Sequence, residues 1–364
     1  MLNIQTHLAR PSMMTVALTM LIGLTLSLSA INAHAAKTMK LAYGLAKGST
    51  ADIFGEAFAK EVEVLTEGSV KARLFCCLKM GGEQEMFKKL QLGTLDATII
   101  AQNNAGPFYP KLDILTQPYI FQSYEHAEAV VDGPIGQAIW ADMPQEAGVH
   151  LVAITAIAFR HLYNTKHDIH NLNDFKPLKY RVPKNAVMVD TYKAFGSDPI
   201  PLAWSETLTA VQTGTVDGGD LTIDVIHSQK FHEVAKHIAL TGHFVFTPPF
   251  FVSDRFMSKL SDSEKEAVYT AAQRAAKLTR KSVLDNEAAL IDTLESKHKV
   301  TFTTPDRAPF LKAADTLHQK FILERGTSYE TLIHDIKTAA HSHKQSTHSQ
   351  RDELPVETAP AKPL

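Results

Sequence analysis

The sequence predicts an α/β protein built on two successive sheets, and three observations carry that expectation. Short apolar runs alternate with amphipathic helical stretches from Met39 to Ala101. The same alternation restarts near Phe159, as if one sheet ends there and another begins. A long helical segment capped at Ser261 or Asp262 then has the reach to pack across both halves. Strand–helix–strand units with short links favour a parallel sheet, whose ligands gather beyond the carboxyl ends of the strands.

The chain opens on a leader. Arg10 supplies a positive start, Met13 to Ala30 is uncharged and apolar, and Ala33-His34-Ala35 is a small-x-small site, so residues 1–35 read as a signal peptide cleaved after Ala35. No later stretch is long and apolar enough to span a bilayer, which implies an exported, soluble protein. A net charge of -2 and the absence of any Lys/Arg run exclude nucleic acid as a partner.

In the first half, Met39, Leu41 and Tyr43 alternate as in a strand. Ser49 then caps a helix with Phe54, Phe58 and Val62 on one face, ended by Gly68. Val70, Ala72, Leu74 and Cys76 form a second alternating run. A helix from Gly82 to Gly93 leads to a strand over Leu95–Ala101. Leu115–Phe121 is an apolar run broken by proline, Ser123 caps a helix that Gly133-Pro134 ends, a second helix passes through Trp140, and Leu151–Ala156 is a strand. The two cysteines, Cys76 and Cys77, are neighbours. Side chains alternate faces along a strand, so the two can bond only through a strained eight-membered ring, and the favoured reading is two half-buried thiols.

In the second half, Lys179–Val182 reads as a strand, Met188–Phe195 and Thr207–Gln212 as glycine-terminated helices, and Val216–Thr222 as a strand. Val245–Val252 is apolar and extended and is expected to cross back to the first half. In the long helix Leu278, Val283, Leu290, Ile291 and Leu294 form the expected apolar stripe. Residues 341–364 are polar and proline-bearing and read as a disordered tail, in which His341, His343 and His348 are solvated rather than metal-binding.

Arg181, at the end of a short strand stopped by Pro183, with Trp204 some twenty residues on, suits a small carboxylate ligand. Guanidinium cannot lose its proton but grips a carboxylate with two parallel hydrogen bonds. Glu83 or Glu85 could take ligand hydroxyls, and Asn104 and Tyr43 stand at carboxyl ends of predicted strands. Asp217 and Asp220 are expected to hold a turn. No GxSxG elbow, HExxH pair or phosphate-cradling loop occurs, so neither an enzyme nor a bound cofactor is expected.

Several ordered motifs resemble one family. They are Gly81-Gly82-Glu83-Gln84-Glu85, Gln117-Pro118-Tyr119-Ile120-Phe121, Ser123-Tyr124-Glu125-His126-Ala127, Phe159-Arg160-His161-Leu162-Tyr163-Asn164, Lys179-Tyr180-Arg181-Val182-Pro183, Glu206 to Gly218, and Leu240-Thr241-Gly242-His243. Together they look like the DctP-type extracytoplasmic solute-binding proteins of TRAP transporters, from about Lys40 to Arg325.

The resemblance implies a type II-like periplasmic-binding-protein fold of two lobes, with hinge strands and a long helix spanning both. Lobe I would hold residues 36–158 plus about 247–285. Lobe II would hold 159–246 plus about 286–340 with the C-terminal helices. It implies a monomeric periplasmic receptor that closes on a small organic acid and hands it to small and large permease subunits. An exported sensor for a membrane signalling protein is the other reading, and an exported hydrolase a remote third.

By position, Arg181 matches the family's carboxylate-pairing arginine, Arg160 a second cationic contact, and Trp204 an aromatic lid. The family's usual VDGQEN reads Val216-Asp217-Gly218-Gly219-Asp220-Leu221 here, so Leu221 stands in place of an asparagine that often touches ligand.

Overall fold

In a computed structural model, residues 36–352 are described, with side chains as far as Ala340. The chain first runs β1 (Lys37–Tyr43), α1 (Thr50–Leu65), β2 (Val70–Phe75), α2 (Glu83–Gln91), β3 (Ala97–Ile99) and the short α3 (Gln102–Ala105). A 3-10 turn over Pro110–Thr116 follows, then α4 (Tyr124–Asp132), α5 (Pro134–Trp140), α6 (Met143–Ala147) and β4 (Val149–Ile154). Next come β5 (Ala158–Asn164), α7 (Leu172–Phe175), β6 (Arg181–Val182), α8 (Ala186–Ala194), β7 (Ile200–Pro201), α9 (Trp204–Gln212), β8 (Gly218–Leu221) and α10 (Ile223–Ser228). The remainder is β9 (His237–Phe246), β10 (Pro249–Ser253), α11 (Asp254–Met257), α12 (Asp262–His298), β11 (Thr301–Thr303), α13 (Ala308–Arg325) and α14 (Thr327–Asp352).

Two lobes form around two principal sheets. The first has strand order β2-β1-β3-β10-β4 and the second β11-β9-β5-β8, with β6 and β7 as a separate two-stranded pair. The chain passes between lobes from β4 into β5 and returns from β9 into β10, so these four strands are the hinge connections. The sheets are only partly parallel. β1 and β3 run parallel, but β10 lies antiparallel to both β3 and β4, and β5 is antiparallel to β8 and β9. A strand that arrives directly from the other lobe has no crossover helix to reverse it, and so enters against its neighbours.

The long helix takes its start from a complete capping box. Ser261 Oγ accepts from Glu264 N–H while Glu264 reaches back to the Ser261 N–H. Its 37 residues extend about 55 Å at 1.5 Å per residue. Its buried face is built mainly of small residues, Ala267, Ala271, Ala272, Ala275 and Ala276, which let it lie close against α1 and β4. Leu278, expected in the apolar stripe, is instead 54% exposed. Farther on, Arg280 is buried and ties the helix to the first lobe through Asp132 at 2.5 Å and the Ile154 carbonyl at 2.7 Å.

Two further expectations are corrected. Cys76 and Cys77 are joined by a disulfide. β2 ends at Phe75, so the strand alternation that would part them no longer applies, and Cys77 and Leu78 turn the chain at φ 64° and 59°. The tail expected to be disordered from residue 341 is instead helical over 341–352, where α14 continues. No glycine or proline interrupts it before Pro355, and residues 353–364 lie outside the described chain, as do residues 1–35, where a signal peptide is expected. Among the described residues no helix is long and apolar enough to cross a membrane.

Candidate ligand-binding site

Between the lobes lies a cavity with ≈ 430 Å³ of empty space. Of the ligand candidates singled out from sequence, Glu83, Asn104, Arg160, Arg181 and Trp204 line it. Tyr43 does not. Its ring belongs to the core beneath the first sheet, 1% exposed, and its hydroxyl donates to Asp52.

Arg181 is placed by β6, which pairs in parallel with β7 and sets Arg181 opposite Ile200. Its Nε and Nη2 donate to the Leu202 carbonyl at 3.1 and 2.9 Å, which fixes the plane of the guanidinium. The side chain is buried, and no carboxylate of the described chain lies within ion-pair distance of it. Burial pushes its pKa below the ordinary arginine value; the neighbouring Arg160 cation adds to this, while Tyr163, Asp220 and Glu83 oppose it. A buried cation with no direct ion pair among the described residues is one that a carboxylate ligand would complete.

Arg160 is arranged differently. On β5 it lies two residues from Leu162, which stands opposite Asp220 on β8, so guanidinium and carboxylate share a face. Nε donates to Asp220 Oδ2, and Nη2 donates to the Asp220 carbonyl at 2.6 Å. Tyr192 donates to Asp220 Oδ1 at 2.8 Å, and His243 Nε2 stands 3.9 Å from the same carboxylate. Burial works against that carboxylate, but Arg160, with His243 and Tyr192, holds its pKa below the usual range. Asp220 is thus the buried counter-ion of Arg160 on a strand, not a turn residue. Asp217 does serve the turn, accepting the Lys179 N–H at 2.9 Å. Next to Asp220, a Cβ on Gly219 would come within 2.8 Å of the Tyr163 hydroxyl. A glutamine there could enter only if that ring moved.

From the first lobe, Glu83 starts α2 and projects into the cavity. Oε2 accepts from Asn104 Nδ2 and, at 3.3 Å, from the Ala101 N–H. Burial raises its pKa, opposed by those hydrogen bonds and by Arg181 and Arg160. Trp204 opens α9 and stacks on Phe231 at 5.6 Å, so its ring forms one wall. Glu85 does not line the cavity and pairs with Lys89 at 2.7 Å.

Of the other lining residues, only Pro183 and Leu221 draw notice in the sequence, and neither as a ligand contact. Leu45, Pro183, Leu221, Val225 and Phe246 make much of the wall apolar, while Asn103 and Thr222 add polar groups. They come from seven different elements or loops, and only the fold brings them together. Leu221 itself, noted as a departure from the family pattern, faces the cavity.

The family model for bacterial extracellular solute-binding proteins, family 7 (DctP), matches residues 41–325. The chain belongs to that family. A solute-binding protein of Verminephrobacter eiseniae is 36% identical to this receptor over 290 residues, 79% of this chain and 86% of the relative. The sialic acid-binding periplasmic protein SiaP of Vibrio cholerae is 28% identical over 298 residues, covering 82% and 92% respectively. Among solved structures, a TRAP periplasmic solute-binding protein of Polaromonas sp. JS666 bound to D-erythronate superposes with TM-score 0.79 at 37% identity. The match covers 83% of this chain and 98% of that one. A TRAP protein of Roseobacter denitrificans with bound L-galactonate gives TM-score 0.75 at 28% identity, covering 82% and 98%. This family-7 chain is a receptor of the TRAP type, not an enzyme.

Proposed function

We propose that the protein is a periplasmic receptor for a short hydroxylated carboxylic acid. It closes its lobes on the acid and delivers it to the small and large membrane subunits of an ion-gradient-driven TRAP permease. The observation that carries this reading is the buried Arg181 guanidinium, fixed by Leu202 and, among the described residues, without a carboxylate within ion-pair distance. The ligand carboxylate pairs with Arg181, Arg160 lines the same wall already paired with Asp220, and Glu83 with Asn104 takes hydroxyls at the other side. Trp204 and Leu221 pack the carbon chain.

The similar proteins whose structures hold D-erythronate and L-galactonate support hydroxylated acids as the class. In this reading the leader is removed after Ala35 and the receptor works as a monomer. Its lobes comprise 36–158 with about 247–285, and 159–246 with about 286–340.

A thermal-shift and calorimetric screen of the mature chain tests the reading. The panel is D-erythronate, L-galactonate, D-glucuronate, pantoate and sialic acid, each beside its neutral amide or alcohol. Saturating binding raises the melting temperature by mass action, and only the carboxylates should do so. Equal shifts from the neutral analogues, or none from any acid, would discard it.

A further inference from the structure

The segment that follows Arg181 is fastened to the opposite lobe. Gln84 on α2 donates to the Lys184 carbonyl at 3.3 Å. One residue on, Asn185 Nδ2 donates to the Asn103 carbonyl and to Asp113 Oδ1, both at 3.0 Å. Asp113, in the 3-10 turn of the first lobe, is held from its other oxygen by Arg325 Nη2 at 3.1 Å. Asn185 and Asp113 are both buried, and neither lines the ligand cavity.

The choice of asparagine has a physical reason. Asn185 is the N-cap of α8, its Oδ1 accepting the Met188 N–H at 3.2 Å. Serine or aspartate would cap that helix about as well, but neither carries a second donor to send across the cleft. The far side is shaped to receive it. A Cβ on Gly106 would stand 2.1 Å from Asp113 Oδ1, so a glycine there leaves the carboxylate its place.

We propose that Asn185, Asp113 and Arg325 form an inter-lobe latch that sets how long a bound acid is retained, as positioning residues that never touch it. The proposal rests on the carboxylate-receptor reading above. Parting the lobes breaks both Asn185 bonds and leaves two buried polar groups to be rehydrated, so the latch opposes opening and leaves capture alone.

The test uses the mature chain with D-erythronate, or whichever acid of the panel binds tightest, followed by Trp204 fluorescence in stopped flow. Asn185→Ser keeps the cap and removes the crossing amide. Asn185→Asp keeps the cap and sets a carboxylate against Asp113. Gly106→Ala displaces Asp113 from the opposite side. Release should quicken about tenfold in Asn185→Ser, the loss of two ordinary hydrogen bonds, and further in Asn185→Asp, with association unchanged. The ligand-free melting temperature of Asn185→Ser should match wild type.

If the acid binds wild type and all three variants release it at the wild-type rate, the latch is wrong and the receptor reading stands. A lowered ligand-free melting temperature with unchanged release marks an ordinary packing contact and also overturns it. If no acid binds wild type, both readings fall together.

Discussion

Arg181 gives two of its hydrogen bonds to the single carbonyl oxygen of Leu202, at 3.1 and 2.9 Å, so a neutral acceptor orients a cation that has no direct ion pair among the described residues. An ion pair within the chain would have neutralised it before any ligand arrived. The carbonyl holds the plane and leaves the charge available, which suits a clamp that must be empty and ready.

Arg181→Ala should therefore weaken carboxylate binding by about 2–5 kcal/mol, roughly thirty-fold to several thousand-fold. Arg181→Lys should lose most of the same affinity, because an ammonium cannot donate to Leu202 and present a planar fork to the ligand together. Calorimetry with D-erythronate checks both, and wild-type affinity in either variant would refute the clamp.

Leu221 offers a specificity test. It lines the cavity where the family pattern commonly carries asparagine. Leu221→Asn should favour acids rich in hydroxyls over 2-hydroxybutyrate, changing the ratio of their dissociation constants by about two- to tenfold, the worth of one net hydrogen bond. An unchanged ratio would mean that Leu221 does not read the ligand.

How far the sequence reaches is visible in these residues. The β6 arginine, the Trp204 helix start and the Gly81–Glu85 turn were legible because each sits at an element end marked by proline, glycine or a capping residue. The ten-residue hinge strand β9 went unplaced, because its apolar pattern is broken by Gly242 and His243 and only pairing with β5 and β11 makes it a strand. Tyr43 and Asp220 were misplaced for a related reason. Position along a strand does not say which face is turned to the core, and an aspartate beside two glycines looks like a turn until its partner Arg160 is brought opposite. Leu45, Val225 and Phe246 carry no chemical signature at all.

Asp220→Ala should cost stability rather than merely affinity. It leaves the Arg160 guanidinium buried with no counter-ion and takes an acceptor from Tyr192. Breaking a buried pair in this way typically costs about 3–5 kcal/mol. Urea unfolding should show the midpoint fall with little change in slope, and a loss below about 1 kcal/mol would show the pair to be well hydrated after all.

His318 predicts a pH dependence of definite sign. The ring is buried on α13, Nε2 meets the Pro118 carbonyl at 2.9 Å, and Nδ1 has no hydrogen-bond partner. Burial, reinforced by Lys337, lowers its pKa to about 4, against 6.5 for an ordinary histidine. The unfolded chain thus binds a proton that the folded chain refuses, so the stability held by this residue is complete above pH 6.5. It drains away as pH falls toward about 4, by about 3 kcal/mol at most. His161 and His243 drain in the same direction, whereas Glu83 and Asp113, whose pKa values are raised, work against them. A variant isolates the single term. The stability gap between wild type and His318→Gln, measured by urea unfolding from pH 7.5 to 4.5, should shift steadily toward the variant as the solution is made acidic. A gap that stays constant over that range would mean that His318 titrates alike in both states, and that its burial does not exclude the proton.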